Sequence, residues 1–304
     1  MSVKKVLVIR FRRIGDAVLS VVICSSLRKS FPEAEIHYVL NDHIAPLFEN
    51  HPDIDKIITF SDEENNHFFE YLRKVRQLMK TERYDVIIDT RATIKTLWFS
   101  AFSLRTKYRI GTSKFYNHFF HNYRVRNHVN DDLDEVVRNL LLLQPLERER
   151  KLVMTTDFRL YVTEQETAEF KSYMEQKGIN FSRFIVVCTP FTRVARKAWD
   201  MAKMKEILYR IIQRYDAQLI FNYSREEKAA ALALYEDMGK DEHIFIDIEA
   251  DSLRKLVSML ETADFFFGNE GGPRHIAQAC HLPGCQRRCW VCCICSCNVT
   301  GAEK

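Results

Sequence analysis

The chain has 304 residues, of which 46% are hydrophobic and 28% charged, and its formal net charge is +4. These values are typical of a globular protein of two domains. The modest net charge argues against a protein whose whole surface binds nucleic acid, so an anionic partner would be bound by local basic patches. No window has the roughly 18 to 20 apolar residues of a membrane helix. Charged residues interrupt the apolar N-terminus after Ile9, so we predict no export signal and a cytoplasmic protein.

The first 150 residues alternate strand and helix patterns. KKVLVIR, EIHYVL, KIITF and YDVIIDT read as strands, whereas AVLSVVICSSLRKSF, HFFEYLRKVRQLMKT and DDLDEVVRNLLLLQPL read as helices. This order predicts a parallel sheet covered on both faces. Residues 108–130 are dense in aromatic and basic side chains and are predicted to form a loop-rich surface. The spacing of His118, His121 and His128 in that segment is too irregular to predict a metal site.

The alternation restarts after a charged stretch at residues 148–160, RERKLVMTTDFRL, which we interpret as a linker. The strands FIVVCTP, AQLIFNY, HIFIDI and ADFFFGN then alternate with four helices. We therefore predict two consecutive α/β domains, residues 1–150 and 151–280. Because such sheets bind ligands beyond the carboxyl ends of their strands, the cleft between the domains is the expected site.

The turn after the first strand, RFRRIGD, places Asp16 at the start of a helix. The carboxylate could cap the free N–H groups of that helix. It could instead act as a general base, with Arg12 and Arg13 close by to hold a phosphate or to keep the carboxylate ionised.

Two further strand-to-helix turns contain polar and charged residues that could bind an anion. CTPFTRVARKAW collects Thr189, Thr192 and Lys197 near a helix N-terminus, which suits a phosphate, although a solvated basic loop has the same composition. No Walker or GxGxxG motif accompanies it. FFFGNEGGPRHIAQA places Glu270 and His275 around Gly271 and Gly272, where the backbone can approach an anion; a capped helix without a ligand is the alternative.

Together and in this order, these turns resemble the ADP-heptose:lipopolysaccharide heptosyltransferases, glycosyltransferase family 9. The resemblance extends over residues 1 to about 280 and includes VLVIRFRRIGDAVLS, YDVIIDTRATIKTLWFSAF, YRIG, TPFTRVARKAW and ETADFFFGNEGGPRHIAQA. It implies a GT-B architecture of two Rossmann-like domains that face a cleft, with the acceptor on the first and the nucleotide sugar on the second. It also implies inverting transfer of heptose from ADP-heptose to the lipopolysaccharide core or lipid A, without a cofactor or required metal and with peripheral contact to the inner membrane.

The resemblance assigns roles to particular residues. Asp16 corresponds to the proposed base, and Lys197 would neutralise the leaving ADP. Acceptor contacts are expected from Arg12, Arg13 and Arg91. The donor-binding residues would be Thr189, Thr192, Lys197, Glu226, Glu270, Gly271, Gly272 and His275. In the family motif Asp-Thr-Gly-x-x-His, this chain has Glu for Asp and Gly for Thr.

Residues 281–304 contain six of the nine cysteines and lack the strand and helices with which the family continues. We predict an aberrant tail, produced by a shift of reading frame near codon 280, and hence an incomplete second domain. A zinc-binding knuckle is the alternative. An incomplete domain would also be compatible with an inactive homologue that only binds its acceptor or a partner.

Overall fold

A computed structural model describes residues 3–126 and 133–286. His128 and the cysteines from Cys289 onward lie outside the described residues, so the hypotheses on the zinc knuckle and the shifted frame stay untested. The chain divides into two compact units, Met1–Tyr161 and Val162–Lys304. Each unit is a parallel α/β sheet, which confirms the predicted fold class.

The first unit has a six-stranded parallel sheet with the order β3-β2-β1-β4-β5-β6, which is the Rossmann order. Its strands are β1 Lys5–Ile9, β2 Glu35–Asn41, β3 Lys56–Phe60, β4 Val86–Asp89, β5 Tyr108–Thr112 and β6 Tyr123–Val125. Its helices are α1 Ile14–Ser30, α2 Asp62–Asn66, α3 Phe68–Glu82, α4 Leu97–Ala101 and α5 Glu135–Leu141. The strand order reverses at β1, between β2 and β4.

Burial follows the hydrophobic pattern of these elements. Helix α1 is apolar around most of its circumference and is almost entirely buried, whereas α3 buries one face through Tyr71, Val75 and Met79. An aromatic cluster of Phe11, Phe60, Tyr71 and Phe99 lies beneath the carboxyl ends of the strands. Its rings pack edge-on or tilted, which is a favourable geometry for aromatic pairs. This core fixes the loops at that edge of the sheet.

The prediction of a loop-rich surface for residues 108–130 is wrong for its first part. Residues Tyr108–Ile110 are buried in β5, and β6 pairs with β5 as the edge strand. The strand was missed because Arg109 interrupts its apolar pattern. The guanidinium of Arg109 is buried, and its Nε and Nη1 donate hydrogen bonds to the carbonyl oxygens of Leu104, Thr106 and Phe120, which offset the cost of burying it.

The second unit repeats the same topology with five parallel strands in the order β11-β10-β7-β8-β9. The strands are β7 Ile185–Thr189, β8 Gln218–Phe221, β9 Ile244–Phe245, β10 Phe265–Gly268 and β11 Gly284–Gln286. The helices are α6 Glu164–Gln176, α7 Met201–Tyr215, α8 Lys228–Asp237, α9 Leu253–Glu261 and α10 Gly272–Ala279. The order reverses at β7, between β8 and β10.

The predicted end of the second domain at residue 280 is too early. The chain turns after α10 and forms β11, which pairs in parallel with β10 in the register Phe266↔Gly284. A Cβ atom at Gly284 would lie 2.9 Å from the carbonyl oxygen of Phe266, so a glycine permits this close pairing. The second unit therefore has the strand that the sequence pattern failed to predict.

The division between the units lies at Tyr161 rather than at residue 150. The stretch after residue 150 packs on α1, where the N–H of Val153 donates to Ser30 Oγ (2.8 Å) and that of Thr155 to Ser26 Oγ (3.0 Å). These bonds attach most of the predicted linker to the first unit. No helix of the described residues is both long enough and apolar enough to cross a bilayer.

Two cysteines lie apart from the C-terminal group, in apolar segments of the chain. Cys24 in α1 and Cys188 in β7 are fully buried and form no disulfide. Burial raises the pKa of both thiols far above the usual range, which makes them unreactive.

Candidate functional site

In the first unit, the strand order reverses between β1 and β4, where Rossmann-like sheets bind ligands. The loop after β1 passes through Arg12 and Arg13 with positive φ angles of 65° and 54°, which are uncommon for residues with a side chain. The N–H of Arg12 donates to Asn41 Oδ1 at 2.8 Å and holds this loop. Arg13 is the N-cap residue of α1, so Asp16 lies inside the first turn and is not the cap.

Asp16 is held by a buried arginine. Arg10 follows β1, is 4% exposed, and places Nη2 2.8 Å from Asp16 Oδ2. Its Nη1 donates to Thr90 Oγ1 at 3.3 Å, and Nη2 lies 4.0 Å from Glu135 Oε1. Because this side chain is buried and has charged partners, it holds the Asp16 carboxylate in one orientation. The Asp16 side chain itself keeps 30% of its surface exposed.

A cavity of about 540 Å³ opens beside Asp16, wholly within the first unit. Six of its lining residues are cationic and two are acidic. The cationic residues are Arg10, Arg13, Arg91, Lys114, Arg126 and Arg138, and the acidic ones are Asp16 and Glu135. Thr90, Thr93, Thr112 and Asn139 add polar groups, and Leu141, Leu142 and Val125 add an apolar wall. The composition suits a polyhydroxylated ligand that carries negative charge.

Burial and mutual repulsion act on the ionisable groups of this cavity. Burial and, next, the charge of Arg10 lower the pKa of Arg91, although an arginine remains protonated under ordinary conditions. Burial raises the pKa of Glu135, and the nearby Arg10 and Arg138 oppose that shift. The cavity therefore has an excess of positive charge around two carboxylates that differ in their environment.

The sequence predicted four residues for the base and the acceptor contacts, and the structure places three of them in the cavity wall. Asp16, Arg13 and Arg91 line it, whereas Arg12 is exposed and does not. The sequence reasoning missed Arg10, the partner of Asp16, and treated it as an interruption of an apolar run. A charged residue that directly follows a fully buried strand at a sheet's carboxyl edge is the signal that would have indicated it.

The second unit reproduces this arrangement where its own strand order reverses, between β7 and β10. Thr189 ends β7 and Gly268 ends β10, opposite each other in register. A Cβ atom at Gly268 would lie 2.5 Å from the carbonyl oxygen of Thr189, so only glycine fits there. Asn269, 3% exposed, accepts from the N–H of Trp199 (2.9 Å) and donates to the carbonyl oxygen of Pro190 (2.5 Å). Asn269 thus ties together the two turns that the sequence singled out, a role that sequence reasoning missed.

Lys197 and Glu270 form an ion pair in these turns. Lys197 ends a short 3₁₀ turn, Ala195–Lys197, and its Nζ lies 2.9 Å from Glu270 Oε1. Thr192 Oγ1 donates to the carbonyl oxygen of Glu270 at 3.3 Å. Both charged side chains keep a quarter or more of their surface exposed, so an incoming anion can reach them.

The remaining predicted donor residues lie at the same edge of the second sheet. Gly271 is the N-cap residue of α10 in an extended conformation, followed by Gly272, and the half-buried His275 lies in the first turn of that helix. Gly271 has room for a Cβ atom, since the nearest atom would be 3.7 Å away, so no close contact requires a glycine there. Glu226 follows β8, is largely exposed, and lies 3.6 Å from the guanidinium of Arg193.

Among residues 3–126 and 133–286, one group of side chains has the composition of a metal site: Glu35, His37 and Glu82. The ammonium group of Lys5 lies 2.8 Å from a carboxylate oxygen of both Glu35 and Glu82. Lys5 therefore already supplies the positive charge between these carboxylates. The group lies outside both candidate sites.

Comparison with known proteins shows the family to which this chain belongs. The family model described as glycosyltransferase family 9 (heptosyltransferase) matches residues 72–284. The chain belongs to glycosyltransferase family 9. The match ends at Gly284, within β11, which agrees with a second unit that continues beyond residue 280.

Curated relatives of this family 9 protein carry heptosyltransferase names. It is 26% identical over 283 residues to lipopolysaccharide heptosyltransferase 3 of Escherichia coli K12, with 88% of this chain and 78% of the relative covered. It is 22% identical over 292 residues to lipopolysaccharide heptosyltransferase 1 of Campylobacter coli, with 92% and 82% covered. The family 9 chain is therefore a glycosyltransferase.

Solved structures support the fold. A family 9 glycosyltransferase of Veillonella parvula superposes with a TM-score of 0.80 at 16% identity, covering 93% of this chain and 80% of that one. Escherichia coli heptosyltransferase WaaC with ADP-2-deoxy-2-fluoro heptose superposes with a TM-score of 0.67 at 16% identity, covering 92% and 87%. Both Rossmann-like units are thus found in family 9 structures, as the GT-B prediction requires.

Proposed function

We propose that this protein transfers heptose from ADP-heptose to the inner core of lipopolysaccharide or to lipid A, with inversion at the anomeric carbon and Asp16 as the base. The observation that carries the proposal is the Asp16 carboxylate, clamped by buried Arg10 at the edge of a cavity with six cations. A phosphorylated or carboxylated saccharide matches that charge. The names of the curated relatives support heptose and lipopolysaccharide as the substrates.

The proposed reaction is a single displacement. The acceptor hydroxyl lies against Asp16 and attacks the anomeric carbon while the bond from that carbon to the diphosphate oxygen breaks. The hydroxyl proton passes to Asp16, and the electron pair of the broken bond leaves with ADP. Arg10 contacts Oδ2 of Asp16, so the other oxygen, Oδ1, is the atom that we propose receives the proton.

On the donor side, the leaving diphosphate gains negative charge as the bond breaks. Lys197 and the N–H groups at the start of α10 supply positive charge for it. The diphosphate would replace Glu270 as the partner of Lys197, with Thr189 and Thr192 as hydroxyl donors and His275 beside it. Glu226, after β8, would accept from a ribose hydroxyl. No metal is needed in this scheme, so we expect transfer to persist in EDTA.

The experiment is transfer with the purified full-length chain, ADP-heptose and lipopolysaccharide truncated before the first heptose, a substrate for the first inner-core transfer. We expect release of ADP in equal amount to a product one heptose heavier, with an inverted anomeric configuration by NMR. The control omits the acceptor and measures hydrolysis. ADP binding without transfer to any inner-core acceptor would instead identify a binding homologue, and transfer of another sugar would replace the donor.

We further propose that the protein contacts the anionic cytoplasmic face of the inner membrane. Phe69, Ile94 and Phe115 follow the carboxyl ends of β3, β4 and β5, and all three are more than two-thirds exposed. Phe69 and Tyr71 lie in α3, and Tyr71 Oη donates to the carbonyl oxygen of Lys95 in the Ile94 loop (2.9 Å). Tyr116 Oη, next to Phe115, donates to the carbonyl oxygen of Ala92 in the same loop (3.0 Å). Together these three residues form the apolar edge.

The apolar edge lies at the same end of the sheet as cationic groups of the cavity, including the exposed Arg13 and Arg126. Apolar side chains that enter a membrane interface, together with basic residues that face anionic headgroups, are a common basis of peripheral binding. A lipid-linked acceptor would then be reached from the membrane surface.

The triple variant Phe69→Ser, Ile94→Ser, Phe115→Ser should bind less to vesicles of phosphatidylethanolamine and phosphatidylglycerol. Its partition coefficient should fall by more than about 100-fold, since each apolar side chain buried in the membrane contributes about 1.5–3 kcal/mol to binding. Co-sedimentation measures the partition. Leu232→Ser, at a half-exposed leucine of α8, is the matched control and should leave it unchanged. Equal binding of the triple variant and the wild type would refute a role of the apolar edge.

A further inference from the structure

Behind the cavity wall lies a buried pair of ionisable side chains that the proposed chemistry does not use. Asp89 ends β4 and His121 precedes β6, and both side chains are fully buried. Asp89 Oδ2 and His121 Nε2 face each other at 3.8 Å. Among the described residues, neither atom has a hydrogen-bond partner. Buried polar atoms are nearly always satisfied, so this pair calls for a physical explanation.

Asp89 fixes the turn that supplies one part of the cavity wall. Its Oδ1 accepts from the N–H groups of Arg91 (3.1 Å) and Ala92 (2.8 Å), and Ala92 has a positive φ of 48°. Thr90, Arg91 and Thr93 on this turn line the cavity. The carboxylate thus holds a turn that the local sequence would not adopt by itself.

His121 is attached to the adjacent part of the wall through Asn117. The Asn117 amide oxygen accepts from the N–H of Lys114 (3.1 Å), and its amide nitrogen donates to the carbonyl oxygen of Thr112 (2.8 Å) and lies 3.1 Å from His121 Nδ1. Thr112 and Lys114 line the cavity. The two parts of the wall also meet directly, since Thr112 Oγ1 donates to the carbonyl oxygen of Thr90 at 3.3 Å.

These bonds determine where the histidine proton lies. The Asn117 amide is oriented by its bonds to Lys114 and Thr112, so its nitrogen is the donor toward His121 Nδ1. Nδ1 must then be the acceptor, and in a neutral ring the proton is on Nε2. Burial lowers the pKa of His121, which favours the neutral ring. The Nε2–H group therefore points toward the Asp89 carboxylate.

The ring also requires a glycine beside it. A Cβ atom at Gly111 would lie 2.4 Å from the His121 ring, an impossible distance. The glycine in YRIG thus provides space for His121, which explains why a residue without a side chain occurs within a buried strand.

We propose that Asp89 and His121 are positioning residues that hold the Arg91 and Lys114 segments of the cavity wall in the arrangement that binds the acceptor. The inference rests on the proposed function of that cavity as the acceptor site. Neither residue touches the acceptor in this proposal; each acts through the turn to which it is bonded.

The test compares two substitutions of His121. Glutamine places an N–H donor near the position of Nε2 and can still face Asp89, whereas asparagine reaches only the position of Nδ1. We expect His121→Asn to raise the KM for truncated lipopolysaccharide roughly tenfold, because the buried Asp89 Oδ2 then no longer faces an N–H group. The KM for ADP-heptose should stay within about twofold, and His121→Gln should recover most of the loss. His118→Asn, at an exposed histidine of the same loop, is the control.

A second measurement does not depend on activity or on the stability of a variant. Long-range ¹H–¹⁵N correlation of the wild-type chain labelled in histidine should show His121 as the neutral tautomer with its proton on Nε2. A proton on Nδ1, or equal changes of both KM values in the two His121 variants, would overturn the proposal. If the wild type transfers no heptose, the proposed function fails while the tautomer can still be read.

Discussion

Asp16→Asn should lower kcat for heptosyl transfer about 10³-fold, because general-base catalysis contributes about 10² to 10⁴ and the amide cannot take the acceptor proton. Asparagine keeps the size of the side chain, and its oxygen can still accept from Arg10, which now lies 2.8 Å from Oδ2. The fold and the cavity should therefore persist. The measurement is single-turnover transfer with saturating ADP-heptose, which separates chemistry from product release.

The control for this variant is Glu33→Gln, which removes an exposed carboxylate just before β2, at the amino edge of the same sheet. It should transfer at the wild-type rate. Calorimetry should give the same affinity for ADP in Asp16→Asn as in the wild type, because the proposed donor residues belong to the second unit. Transfer within tenfold of the wild type would show that another group takes the proton, and Glu135 would be the next candidate.

Lys197→Met should weaken the binding of ADP about 100-fold. A charge-assisted contact to the diphosphate contributes about 1.5–3 kcal/mol, and the substitution also leaves the Glu270 carboxylate to repel the ligand. Methionine preserves the length and the apolar part of the side chain. Isothermal calorimetry with ADP measures the change.

The double variant Lys197→Met with Glu270→Gln separates the two effects. Removal of the facing carboxylate should restore part of the affinity, so the double variant should bind ADP more tightly than Lys197→Met alone. Lys203→Met, at an exposed lysine in the first turn of α7, should bind ADP as the wild type does. Unchanged ADP affinity in Lys197→Met would mean that the ion pair with Glu270 is structural and that the diphosphate binds elsewhere.

The two sites show why sequence patterns located the chemistry but not its partners. Asp16, Lys197 and Glu270 lie in or directly after strand-to-helix turns, and a buried strand followed by a turn and a helix can be recognised locally. Arg10, Arg91, Lys114 and Arg138 are far apart along the chain, and they line one cavity because β1, β4, β5 and α5 meet there. The local periodicity of hydrophobic residues does not show which of these elements lie close together in space.

Strand β11 is a second feature that local sequence patterns did not predict. Residues Gly284–Gln286 have neither an apolar run nor β-branched side chains, so no propensity indicates a strand. Its hydrogen bonds come from β10, whose exposed edge provides a template, and Gly284 permits the close approach. The extension of the second sheet beyond residue 280 therefore depends on pairing and not on composition.

The sequence alone determined the alternation of strands and helices, the two α/β domains, the family, and the turns that contain Asp16, Lys197 and Glu270. Only the tertiary structure decided that Arg10 clamps Asp16, that Lys197 is paired with Glu270, and that Asp89 and His121 lie behind the cavity wall. The reason is physical: hydrophobic periodicity and turn preferences act over a few residues, whereas an ion pair or a buried histidine depends on strand order and register across the whole sheet.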